Sequence, residues 1–156
     1  MNPALPLLLH VEDDLGDKEL LQHACRAAQA KINLHWVQDG EAAVEFLSGH
    51  GEFADRDRYP LPKLILLDLK MPRKSGLEVV AWLRGHPVLK GLPVVIFTAS
   101  NNPGDVKRAF ELGANSFVVK PHSIEELMVL VGQFKASWRE TSGGGNGAGG
   151  PGGAAA

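Results

Sequence analysis

Five short apolar runs limit what this chain can fold into. They are LPLLLHV (Leu5 to Val11), LHWV (Leu34 to Val37), LILLD (Leu64 to Asp68), VVIFT (Val94 to Thr98) and SFVVK (Ser116 to Lys120). The first, third and fourth are nearly unbroken in apolar character, as strands covered on both faces of a parallel sheet must be. None approaches the roughly 20 residues needed to span a bilayer. Helical stripes separate the runs: Leu20, Leu21, Ala24 and Ala28; Leu77, Val80 and Ala81; Val106, Ala109 and Phe110. Ser75 with Glu78 and Ser123 with Glu126 have the spacing of capping boxes. Asn102 before Pro103 reads as an N-cap and first helical position, and Gly113 closes that helix. Strand alternating with helix five times predicts one α/β domain, an open parallel sheet with helices on both faces.

The domain is expected over residues 1–140. From Thr141 the chain reads TSGGGNGAGGPGGAAA, too rich in glycine to repay ordering, so residues 141–156 are expected to form a flexible tail. The segment SGHGEFADRDRYPLPK (Ser48 to Lys63) is long for an αβ connection, and its charges and prolines predict an exposed insertion. A net charge of -2 gives no footprint for nucleic acid or a membrane surface. The amino terminus lacks a basic n-region and reads as a strand, not a signal peptide. The single cysteine, Cys25, excludes an intrachain disulfide and fits a cytoplasmic location.

In an open parallel sheet, ligands bind beyond the carboxyl ends of the strands. The first strand ends in Glu12, Asp13 and Asp14, the third in Asp68, the fourth in Thr98 and the fifth in Lys120 followed by Pro121. Acids gathered in a partly desolvated crevice raise one another's proton affinity, and a hard divalent cation such as Mg²⁺ relieves the repulsion. Asp14 is read as a helix-entry acid instead. A carboxylate beside such a metal can attack phosphorus, a lysine can neutralise the phosphoryl oxygens, and a threonine can donate to one of them. Pro72 fixes the turn after Asp68, and Gly76 permits close backbone approach.

Together, Glu12-Asp13, LLDLKMPRKSGLE around Asp68, FTAS around Thr98 and FVVKP ending in Lys120-Pro121 resemble the receiver domain of two-component response regulators, over roughly Leu5 to Trp138. The resemblance implies a flavodoxin-like, doubly wound sheet of five parallel strands in the order 2-1-3-4-5. It implies that Asp68 accepts phosphate from a sensor histidine kinase. Asp13, Asp68 and the backbone carbonyl of Lys70 would hold Mg²⁺, and Glu12 would do so through water. Thr98 and Lys120 would engage the phosphoryl group, and Thr98 and Phe117 would be the switch residues. The Lys120–Pro121 bond would be cis. Lys70 stands where a smaller polar residue is frequent, and its side chain is expected to alter access of hydrolytic water. With its long insertion, the chain is similar to stand-alone regulators associated with phytochromes, which makes a phytochrome-type kinase the candidate partner.

No helix-turn-helix or basic stripe accompanies these motifs, so the expected output is another protein, a second copy or a further phosphotransfer as a phosphorelay shuttle. A homodimer through the fourth helix, fifth strand and fifth helix is expected. It is supported by the stripe of Ile124, Leu127, Met128, Val131 and Phe134, which Trp138 extends. A haloacid-dehalogenase-like phosphatase wants an acid where Lys70 stands, and a flavodoxin-like redox module would not place EDDLGD against a flavin phosphate. A degenerate docking receiver would not keep every phosphorylation residue. Beyond phosphoryl transfer to itself and loss of that phosphate, no enzymatic activity is expected.

Overall fold

The computed structural model describes residues 4–99 and 101–144. Five strands, β1 (Leu7–Val11), β2 (Asn33–Val37), β3 (Leu64–Leu67), β4 (Val94–Thr98) and β5 (Ser116–Val119), alternate with five helices. The helices are α1 (Leu15–Ala27), α2 (Gly40–Ser48), α3 (Gly76–Arg84), α4 (Pro103–Leu112) and α5 (Ile124–Gly144). The sheet is parallel throughout, in the order β2-β1-β3-β4-β5. The three unbroken apolar runs are its three inner strands, and every residue of β1, β3 and β4 is buried.

Because successive side chains point to opposite faces, each strand feeds two cores. Leu7, Leu9, Val11, Ile65, Leu67, Val94 and Ile96 pack with α2, α3 and α4, through residues such as Phe46, Val80 and Ala109. Leu8, Leu64, Leu66, Val95 and Phe97 pack with α1 and α5, through Leu21, Leu127, Val131 and Phe134. Phe134 is 1% exposed, so most of the apolar stripe of α5 covers its own domain; the side chain of Trp138 lies outside the described residues. α5 runs to Gly144, so the first four residues of the expected tail are helical, and the remainder is outside the described residues.

The helix ends follow the sequence signals. Ser75 and Glu78 form the reciprocal capping box, Asn102 caps α4 ahead of Pro103, and Gly113 ends that helix at φ +110°. The buried face of α3 is Val79, Val80 and Leu83, one step round from the expected Leu77, Val80 and Ala81. β3 stops at Leu67, so Pro72 shapes a loop rather than terminating a strand.

One expectation is corrected. Among the described residues every peptide bond is trans, Lys120–Pro121 included. The trans form of an X–Pro bond is favoured by about 0.5–1 kcal/mol, and Lys120 reaches its partners from it. The insertion before β3 is largely exposed, as its charges suggest, but two aromatic residues anchor it. Phe53 and Tyr59 pack against the core and meet Phe46 and His35 edge-on or tilted at ring separations of 5.0 to 6.3 Å. Arg56 donates to the carbonyls of Leu47 (2.6 Å) and Tyr59 (3.1 Å). The aromatic residues dock the segment, while its charges stay at the surface.

Candidate functional site

Strand register assembles the site. Val11 pairs with Leu67 across β1 and β3, so Glu12 and Asp68 leave the sheet side by side. The Asp68 N–H donates to the Val11 carbonyl at 3.2 Å. The strand order reverses between β1 and β3, which opens the crevice there. Thr98 ends β4, and the N–H of the next strand's Lys120 donates to its carbonyl at 2.8 Å.

Asp68 is the centre. Its Oδ1 accepts from Thr98 Oγ1 at 3.1 Å and from the Lys70 N–H at 3.2 Å, and its Oδ2 accepts from Lys120 Nζ at 3.1 Å. Glu12, Asp13 and Asp68 bring one carboxylate oxygen each within 4.8 Å of one another. Glu12 and Asp68 are buried and Asp13 is exposed. Three hard oxygen donors with one side open to solvent suit a hard divalent cation that keeps several waters.

The electrostatics agree. Burial pushes the Glu12 carboxyl up to about 8, with Lys120 working against the shift and Asp68 adding to it. For Asp68, burial works upward, but Glu12, Lys120 and the Lys70 N–H outweigh it and hold the carboxyl below its ordinary value. Lys120 is held above the ordinary lysine value, because Asp17, Glu12 and Asp68 outweigh its burial. Glu12 Oε1 lies 2.7 Å from Lys120 Nζ yet lacks a well-angled hydrogen bond, so their contact is an ion pair. A buried acid that remains so basic is a site short of positive charge.

The loop from Asp68 to Ser75 is clamped by backbone proximity. A Cβ on Gly76 would lie 2.2 Å from the Asp68 carbonyl oxygen, and one on Gly40 would lie 2.1 Å from that of Lys74. Arg73 sits at φ +67° and pairs with Asp39 at 3.4 Å. Gly76 was legible from sequence; the matching demand on Gly40 was not.

Phe117 is 3% exposed and shares a core cluster with Ala109 of α4, on the face opposite the α5 core. Lys70 is exposed. Three neighbours escaped the sequence reading. Asp17, in the first turn of α1, accepts from Lys120 Nζ at 2.7 Å. Trp36 Nε1 donates to the Glu12 carbonyl at 2.8 Å. His10 is buried 3.8 Å from Glu12 Oε1. The nearly unbroken apolar run LPLLLHV was the signal that could have placed His10 in the interior.

Residues 8–132 match the family model of the response regulator receiver domain. The chain belongs to this family. Response regulator Rcp1 of Synechocystis sp. is 38% identical over 140 residues, which cover 90% of this chain and 92% of that protein. The Mn²⁺-bound crystal structure of Rcp1 superposes with a TM-score of 0.74 at 37% identity, over 87% of this chain and 96% of the other. The phosphorylated cyanobacterial phytochrome response regulator RcpA gives 0.78 at 33% identity, over 88% and 96%. As a receiver domain, this protein is a signalling component of a two-component system, a class that takes phosphate from histidine kinases. Among the described residues no helix is long and apolar enough to cross a membrane.

Proposed function

We propose that Asp68 is the phosphoacceptor and that Mg²⁺ is the physiological cation. The carrying observation is the setting of the Asp68 carboxylate, bonded by Thr98, Lys70 and Lys120 and grouped with Glu12 and Asp13. An Oδ of Asp68 forms the new O–P bond as the P–N bond to a kinase phosphohistidine breaks. The electron pair leaves on the imidazole nitrogen, which takes up a proton. Asp13, Asp68 and the Lys70 carbonyl would hold the cation, and Glu12 would act on it through water. When bound, Mg²⁺ neutralises carboxylate and phosphoryl oxygens. Lys120 and Thr98 then move their donors from Asp68 to the phosphoryl oxygens, and chemistry on the protein ends with hydrolysis of the acyl phosphate.

Thr98 and Phe117 carry the switch: contacts made only with the phosphoryl group bias the β4–α4 connection and the ring beneath α4. The relatives favour a phytochrome-type kinase as donor, in the cytoplasm, where such kinases hold ATP. Phe110 (44% exposed), Val119 (41%) and Val129 (62%) favour a homodimer through α4, β5 and α5. Incubation with Mg²⁺ and acetyl phosphate should yield an acid-stable, base-labile phosphate that disappears in Asp68→Ala. Equal labelling of that variant would reject Asp68 as the acceptor.

A further inference from the structure

Lys120 faces three carboxylates at once: Glu12 and Asp17 at 2.7 Å and Asp68 at 3.1 Å. Two of these acids belong to the trio suited to a cation. Asp17 does not. It sits in the first turn of α1, three residues after the N-cap Asp14, and its side chain is 38% exposed. An ammonium has three donors and no acceptor, so three acids are as many as it can serve. The lysine also borders a small crevice lined by Asp17 together with Leu20, Leu21, Phe97, Pro121 and Leu127, so Asp17 is the one acid among the side chains on that side.

We propose that Asp17 is a positioning residue that anchors the Lys120 ammonium to α1 and so sets how much of its charge reaches the acid trio and the phosphoryl group. A cation bound by the trio takes over the charge of Glu12 and Asp68. Asp17 keeps its claim on the lysine in that state and competes with the phosphoryl oxygens for it. Without the Asp17 charge, the ammonium shifts toward Glu12 and Asp68. The cation then binds less tightly, and the phosphoryl group gains an uncontested donor.

The inference rests on the roles proposed for Asp68 and Lys120. Its test uses the full chain as wild type, Asp17→Asn, Asp17→Glu and Glu19→Gln; the last removes an exposed charge from the same helix. Mg²⁺ titration followed by tryptophan fluorescence reads the affinity, since Trp36 touches Glu12. Decay of the acyl phosphate formed from acetyl phosphate reads the lifetime. Asp17→Asn should raise the Mg²⁺ dissociation constant and lengthen the lifetime, each by roughly three- to tenfold, the range between an exposed ion pair and a buried charged hydrogen bond. Asp17→Glu should move both back toward wild type, and Glu19→Gln should change neither. A wild-type-like Asp17→Asn, a change in one quantity alone, or equal shifts in Glu19→Gln would overturn the proposal. Should Asp17→Asn fail to fold, Asp17→Ser carries the same test. Labelling of Asp68→Ala would defeat the underlying assignment instead, so the two failures are distinct.

Discussion

At each end of the sheet a long cation gathers several acceptors, and the two are used in opposite ways. At the edge where the strands begin, Arg84 leaves the end of α3. It donates to the carbonyls of Gly113 (2.9 Å), Lys90 (2.8 Å) and Leu92 (2.7 Å) and to Asn115 Oδ1 (2.8 Å). Asn115 Oδ1 also accepts from the Val94 N–H at 2.8 Å. Every acceptor is neutral, and the planar fork of arginine suits a fixed set of them. At the edge where the strands end, Lys120 meets three carboxylates, and Asp13 adds a fourth acid nearby. One edge is complete as folded. The other has more negative charge than its lysine can balance, a shortage that a divalent cation relieves.

The sharpest way to break the comparison is to show that the edges are not separable. Asp68→Asn should lower phosphate uptake by at least about 100-fold, as expected for loss of a nucleophile. Its melting temperature should stay close to that of wild type, because the amide can still accept from Thr98 and Lys70. Arg84→Ala should do the reverse. Four charged hydrogen bonds are lost, two of them to part-buried carbonyls, at a cost of about 2–4 kcal/mol, while the uptake rate of the folded fraction is unchanged. Urea unfolding and acetyl phosphate labelling of both variants would check this, and a stability loss in both of similar size would erase the distinction.

That asymmetry was half visible in the sequence. The carboxyl edge was legible because strand-end residues with opposite charges stand next to unbroken apolar runs, and strand register then fixes who meets whom. Glu12, Asp68, Thr98 and Lys120 needed no more than this. The amino edge was not legible: Arg84 at a helix end reads as a cation near the helix dipole, and its four partners come from two separate loops, the α3–β4 and α4–β5 connections. Asp17 was hidden for a related reason, since an acid in a first turn already has a local explanation. The expected cis bond at Pro121 failed because a chemical preference near 1 kcal/mol is set by three-dimensional context. The insertion is exposed as expected, but its anchoring was missed because its charges outnumber the aromatics, Phe53 and Tyr59, that fix its place.

A smaller effect should appear where the edge itself is shaped by backbone contact. Gly76 brings α3 against the Asp68 carbonyl, and a Cβ there would stand 2.2 Å from that oxygen. Gly76→Ala should therefore cost about 1–3 kcal/mol through overpacking and also slow phosphate uptake, since the displaced backbone is that of Asp68. Gly132→Ala is the contrast. Gly132 lies in α5 with open space around it, so alanine should stabilise by about 0.5–1 kcal/mol through helix propensity and leave uptake alone. Gly76→Ala with full uptake would show that the loop absorbs the added methyl without moving Asp68.

The last comparison is within the carboxyl edge, between groups that find partners and one that does not. His10 is 1% exposed, its edge faces Phe97 at a ring separation of 6.2 Å, and neither ring nitrogen has a hydrogen-bond partner among the described residues. Burial first, and then Lys120, lower its pKa from 6.5 to about 3, against the pull of Asp68. Between those two values the unfolded chain binds the proton and the folded chain refuses it. Stability is thus unaffected by His10 above 6.5 and falls as pH drops from 6.5 toward 3, by up to about 1.4 kcal/mol per pH unit. Glu12 acts with the opposite sign, because its raised pKa makes the fold less stable as pH rises toward 8, so the two oppose each other in weak acid. His10→Leu removes one contribution and leaves the other. Urea midpoints near pH 7 and near pH 5 should show wild type losing more stability than His10→Leu on acidification; parallel losses would mean that the imidazole takes up its proton without opening the fold.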